Sequence, residues 1–299
     1  MTTAAARFLD PRALARIANL ELAARTVVEG FISGLHESPF IGASVDFAEH
    51  RPYMPGDDIR RIDWRVFGRT DRYYVKEFEA DTNANFTVLL DVSASMGFGS
   101  AGITKLDYAK YLAACLTWFS RQQRDRVGLV TFADDIVSII PPSAKHLDPV
   151  LHELDRARAA GRGNLHPPLS KVAEFLRRRS IVVLISDLYE PADQVIRAVN
   201  LLRARGNDLI VFQVLDRAEL DFPYDEASQF EDLESGERIP VVPDKVRSGY
   251  RELLERHTRS LREGMVRDRI DYRVFDTTRP LDLALFEFLA FRHRLVKVR

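Results

Sequence analysis

The chain has 299 residues, with 43 Lys and Arg against 44 Asp and Glu, for a formal net charge of −1. That balance leaves no strong overall field for nucleic acid or anionic lipid, and 46% hydrophobic against 29% charged residues excludes wholesale disorder. A single cysteine, Cys115, excludes an internal disulfide and a multi-cysteine zinc site, and suits a reducing cytosol.

At the N-terminus, Arg7, Asp10, Arg12 and Arg16 interrupt what a secretory signal would need as an apolar region. No apolar run anywhere approaches the roughly 18–20 residues of a membrane helix. The expectation is a soluble, cytoplasmic protein without membrane insertion. Residues 1–84 read as an extension. A first helix is capped by Asp10 with Pro11 at its first position, carries Leu14, Ile17, Ala24, Val28 and Phe31 on one face, and is expected to end at Gly30 and Gly34. From His36 to about Asp81, Gly, Pro and aromatics interspersed with charge predict loops and short strands.

Residues 85–299 alternate between strands and helices. Phe86–Leu90 is a buried-strand run, followed by Leu106, Ala109, Leu112, Ala113, Leu116 and Phe119 at helical spacing. Strands Val127–Phe132 and Ile136–Ile140 come next, then helices near His146–Ala159 and Leu169–Arg178. Strand Ile181–Ile185, a helix over Pro191–Arg205 and strand Leu209–Leu215 complete that unit. Short all-apolar strands separated by amphipathic helices predict an α/β fold with a doubly wound, mostly parallel sheet. Residues 217–241 break the rhythm as an inserted hairpin, with Glu234-Ser235-Gly236 at its turn. A long polar helix over Pro243–Val266, a strand Asp271–Phe275 and a helix from about Leu281 to Arg292 follow.

The sharpest chemical signal is Asp91-Val92-Ser93-Ala94-Ser95, directly after the first strand of this unit. In a doubly wound sheet the ligand crevice lies beyond the carboxyl ends of the strands. An extended turn there aims the oxygens of Asp91, Ser93 and Ser95 to one side, and such small hard donors suit Mg²⁺ or Mn²⁺. Asp187 stands at the end of a second strand and meets Asp91 if the two strands are neighbours. Aspartates and serines after strands also cap turns and helices, and Asp134, Asp135 and Asp216 occupy comparable places.

Asp91-x-Ser93-x-Ser95 resembles the metal-ion-dependent adhesion site of von Willebrand factor A domains. The resemblance implies a metal held by both serine hydroxyls and by a second-loop residue that falls on Asn164, where the family has threonine. The two aspartates, here Asp91 and Asp187, then act mainly through water or hydrogen bonds. Further upstream, Gly34–Ser38, Phe47, Arg51, Tyr53, Gly56-Asp57-Asp58, Arg60, Ile62-Asp63-Trp64 and Lys76-Glu77-Phe78 resemble the opening of the domain of unknown function 58 family. That family joins such an opening to a von Willebrand A-like domain. Its members are commonly encoded beside MoxR-type AAA ATPases, which implies an adaptor or co-chaperone acting with such an ATPase on a client protein.

A cation held mostly by neutral hydroxyls keeps positive potential at an open position, which a partner's carboxylate fills. The rival class is a Mg²⁺-dependent phosphoester hydrolase at the same strand ends. Against it, Ser93 occupies the place two residues after Asp91 where a second acid is wanted. No Gly-x-Ser-x-Gly elbow or Gly-Lys-Ser/Thr phosphate loop occurs, and no catalytic residue is assigned. Arg51, Arg60, Arg61, Arg65, Arg69 and Arg72 alternate with aromatics as nucleic-acid binders do, but Asp57, Asp58, Asp63 and Asp71 cancel their field. The seven histidines show no His-x-x-x-His pairing. The charged helix around Arg251–Arg267 reads as a solvated face, with a partner surface as the lesser alternative.

Overall fold

In the computed structural model, which describes residues 14, 19–37, 49–52, 73–77, 84–176, 179–282, 284, 285, 287 and 288, the predicted alternation of strands and helices is present. The helices are α1 (Leu20–Glu37), α2 (Lys105–Gln122), α3 (Leu147–Arg156), α4 (His166–Phe175), α5 (Ala192–Ala204), α6 (Arg217–Asp221) and α7 (Pro243–Arg267). The strands are β1 (Glu49–Pro52), β2 (Tyr74–Glu77), β3 (Asn85–Asp91), β4 (Arg126–Phe132), β5 (Ile136–Ser143), β6 (Ser180–Ser186), β7 (Asp208–Leu215), β8 (Ser228–Glu231), β9 (Arg238–Val241) and β10 (Asp271–Asp276).

Six strands form one sheet in the order β10-β7-β6-β3-β4-β5, parallel throughout except for the antiparallel edge strand β5. β3 therefore lies inside the sheet. Its crossover through α2 leads outward to β4, while the later strands add on its other side as β6, β7 and β10. The connections reverse direction between β3 and β6, and this reversal opens the ligand crevice of a doubly wound sheet.

Both faces are covered, as the apolar strands require. Phe86, Val88 and Leu90 of β3 point into a cluster with α1, α2 and α3, and Leu89 points to the opposite cluster with α4, α5 and α7. That alternation is the two-residue period of a strand. The last described residues, Leu281, Ala284, Leu285 and Phe288, join the first cluster, where the Phe288 ring meets Phe86 and Phe119 edge-on at 5.6 and 6.2 Å.

The first helix differs from its expected course. α1 runs through Gly30 and Gly34 to Glu37 instead of stopping there. Leu20, Ala23, Ala24, Val27, Val28 and Phe31 are buried in the cluster that holds α2. A Cβ at Gly30 would meet nothing within 4 Å, so a glycine there weakens the helix by only about 1 kcal/mol against this burial. Asp10, Pro11 and the Tyr53–Arg72 stretch, with its Gly56–Trp64 motif, lie outside the described residues.

The interruption after β7 is a short helix plus a hairpin. β8 and β9 pair antiparallel, Ser228 opposite Val241. An aromatic group fastens the insertion to α7, with Phe222 centred 4.9 Å from the Tyr250 ring and 5.6 Å from that of Phe230. Arg247 donates to the carbonyls of Phe222 and Tyr224 at 3.3 and 2.5 Å. The polar face of α7 carries the i,i+4 pairs Glu252–Arg256 and Glu255–Arg259, as a solvated helix does.

Candidate metal centre

β3 delivers Asp91 to the carboxyl edge of the sheet, next to Ser186 and Asp187 from the end of its neighbour β6. Asp91 Oδ1 accepts the Ser93 N–H at 2.8 Å, and its Oδ2 accepts the Ser186 hydroxyl at 2.6 Å. The turn after β3 is not extended: Ala94–Gly97 form a 3₁₀ turn. The extended turn expected to aim the three oxygens to one side is therefore absent. They converge because the tight turn folds Ser95 back, bringing its Oγ to 3.1 Å from that of Ser93.

Asp91, Ser93, Ser95 and Asp187 line one cleft of about 260 Å³, together with Gly163 and Glu190. Asp91 is buried, and burial, with the nearby Asp187 charge, pushes its carboxyl up to about 7 against the hydrogen bonds from Ser186 and Ser93. The donor set of one carboxylate and two hydroxyls, with negative charge left incompletely compensated, fits a hard divalent cation. Among the described residues no group of three or more His, Cys, Asp or Glu is set to hold a metal, so any such ion depends on the serines.

Asn164 is not brought to the cleft. It is exposed, and its Oδ1 accepts the His166 N–H at 3.3 Å, turning the chain into α4. The residues on either side reach the cleft instead: Gly163 through its backbone, and Leu165, whose N–H is held by Glu190 Oε1 at 2.5 Å. An Asx-type turn satisfies the short carboxamide locally, which draws it away from the second-loop role.

The residue pattern did not disclose Lys105, the first residue of α2 and fully buried. Its ammonium donates to Asp187 Oδ2 at 2.8 Å and to Glu219 Oε1 at 2.7 Å, and lies 4.6 Å from the centre of the Tyr189 ring. Burial alone would lower its proton affinity; Asp187 and Glu219 outweigh this and keep it charged. Asp187 is thus committed to an internal cation. The one signal for Lys105 is electrostatic, since a positive charge in a helix's first turn opposes the dipole and needs a carboxylate nearby. Two of the other strand-end aspartates serve structure: Asp216 caps α6 and accepts the Ser100 hydroxyl, and Asp135 pairs with Lys171 at 2.6 Å.

The doubly wound sheet with an antiparallel edge, and Asp-x-Ser-x-Ser at the point where its connections reverse, is the arrangement that the resemblance to von Willebrand factor A domains implies. The chain belongs to the family described as Protein of unknown function DUF58, which matches residues 49–260. The uncharacterized proteins Mb1516 of Mycobacterium bovis and Rv1480 of Mycobacterium tuberculosis are each 30% identical over 232 residues, which span 76% of this chain and 73% of theirs. Among solved structures, the conserved hypothetical protein BatB from Bacteroides thetaiotaomicron shares 16% identity at a TM-score of 0.47, over 70% of this chain and 99% of that one. The vWF domain of the type V pili tip protein Mfa5 from Porphyromonas gingivalis shares 10% at a TM-score of 0.37, over 72% and 97%.

Proposed function

We propose that the chain is a non-enzymatic protein-interaction module that binds an acidic residue of a partner through Mg²⁺ or Mn²⁺ at the β3–β6 crevice. Asp91, Ser93 and Ser95 would hold the ion, and Asp187, already fixed by Lys105, would orient water beside it. The observation that carries this reading is the buried Asp91 carboxylate, short of positive charge, in one cleft with the adjacent Ser93 and Ser95 hydroxyls. Bound there, the cation supplies a Lewis-acidic position for an outside carboxylate, and metal and partner strengthen one another.

The partner class rests on the family resemblance: a MoxR-type AAA ATPase and a client, with this chain as adaptor or co-chaperone. The test is capture of the ATPase from native lysate with Mg²⁺ and with chelator, alongside calorimetry of Mg²⁺ binding. Chelator and Asp91→Asn are each expected to reduce capture at least tenfold. Asp91→Asn keeps the side-chain volume but replaces one of the two oxygens that accept from Ser93 and Ser186 with a donor, so a stability loss of about 1–3 kcal/mol is expected, read by urea unfolding. Equal capture with and without chelator removes the metal from the mechanism.

A further inference from the structure

The net charge of −1 conceals two poles. Asp91, Asp187 and Glu190 line the cleft at the carboxyl edge of the sheet. Arginines collect at the amino edge, in the turns that lead from α2 into β4, from α5 into β7 and from α7 into β10. Strand pairing sets these turns in one row. Arg126 of β4 is level with Asn85 of β3 and Ser180 of β6, Ile181 is opposite Asp208 of β7, and Asp271 of β10 is opposite Ile210. Four spacings of about 4.8 Å give the row a length of roughly 19 Å. Arg124, Arg126, Arg205, Arg267 and Arg269 along it are exposed, and Arg126, Arg205 and Arg269 form no ion pair among the described residues. Acids of the same turns are engaged in the fold. Asp125 is buried and accepts the Ala84 N–H at 3.2 Å, Asp208 pairs with Arg179 at 2.7 Å, and Asp268 accepts the Asn200 amide at 2.6 Å.

The three helices end alike. Arg124, Gly206 and Arg269 each stand two residues before the strand, at φ 61°, 82° and 52°. The N–H groups that follow Arg124 and Arg269 bond the Ser120 and Met265 carbonyls at 3.1 and 2.8 Å. This left-handed cap favours glycine, because a side chain there crowds the backbone. Only the α5 turn has one. Arginine at the other two weakens the fold relative to glycine, and the helix dipoles do not require it, since Arg121 and Arg267 already occupy the last turns. A charge kept where the fold is better without it points to an anion outside the chain.

Apolar side chains flank the row. Val266, beside Arg267, is 67% exposed, and Phe175, at the end of α4 on the same edge, is 40% exposed. A bilayer surface meets both kinds of group at once, its phosphates facing the arginines and its acyl boundary taking Val266 and Phe175. Duplex DNA offers those two side chains no apolar partner. Single-stranded nucleic acid stacks on aromatics, which residues 121–126, 203–208 and 267–271 lack.

We propose that the amino edge of the sheet docks the protein on an anionic lipid surface, with the cleft at the carboxyl edge turned away from it toward soluble partners. The two edges lie at opposite ends of the strands, so this docking stands whether or not the cleft takes a cation.

The test is cosedimentation of the full chain with vesicles of phosphatidylcholine alone and of its equal mixture with phosphatidylserine. The chain is expected to bind the mixed vesicles only, and to be released as salt is raised. Arg124→Gly combined with Arg269→Gly should weaken that binding about 25-fold, roughly fivefold per charge, while urea unfolding finds the variant at least as stable as the native chain. Lysine at both positions keeps the charge and should retain most of the affinity. A double glycine variant that binds mixed vesicles as the native chain does, or a native chain that binds both vesicles equally or neither, overturns the proposal. Tighter binding to duplex DNA or to polyglutamate than to the mixed vesicles also overturns it, and assigns the edge to nucleic acid or to an acidic protein instead.

Discussion

At the scale of single residues, Asp91, Ser93, Ser95 and Asp187 were legible because each follows an apolar strand run and bears a hard oxygen. Asn164 was not, because its position in a loop did not reveal that its carboxamide would bind the His166 N–H. Lys105 was overlooked because it lies within a helical pattern, and only the tertiary fold brings Asp187 and Glu219 to it. Its burial makes a sharp prediction. Lys105→Met leaves two carboxylates without their ammonium and should lower stability by about 3–5 kcal/mol, measured by urea unfolding. Adding Glu219→Gln to that variant should restore part of the loss; a Lys105→Met chain as stable as the native one would show that the pair carries no weight.

At the scale of elements, strand and helix identities followed from periodicity, and the departures sit where local rules compete with packing. The glycines of α1 do not end it because the buried stripe from Leu20 to Phe31 outweighs them. The turn after Asp91 tightens into a 3₁₀ form instead of extending. Within β4, Gly128 falls where the pairing with β5 shifts register, and a Cβ there would meet the Ile140 carbonyl oxygen at 2.7 Å and the Pro142 nitrogen at 2.8 Å. A glycine inside a strand pattern marks such a bulge or close approach. Both neighbours are backbone and cannot swing aside. Gly128→Ala should therefore destabilise the chain by about 1–3 kcal/mol, read from the urea midpoint, whereas Gly30→Ala, facing open space, should be neutral or mildly stabilising.

At the scale of the whole molecule, α1 contributes to the same apolar cluster as the sheet, although the N-terminal extension reads as a separate region in sequence. Val27 and Val28 are both fully buried there. Replacing both with alanine should move a single unfolding transition to lower urea, with tryptophan fluorescence and circular dichroism coincident. Two separated transitions would mean that the helix and the sheet unfold independently. Among the described residues no helix is long and apolar enough to cross a membrane.

The sequence by itself determined the α/β class, the succession of strands and the hard-oxygen motif after the first of them, since these are local properties of polarity and spacing. Only the tertiary structure decided which strand ends adjoin, that Lys105 claims Asp187, and that Gly163 and not Asn164 borders the cleft. Those facts depend on strand order and long-range packing, which bring together residues that no periodicity links.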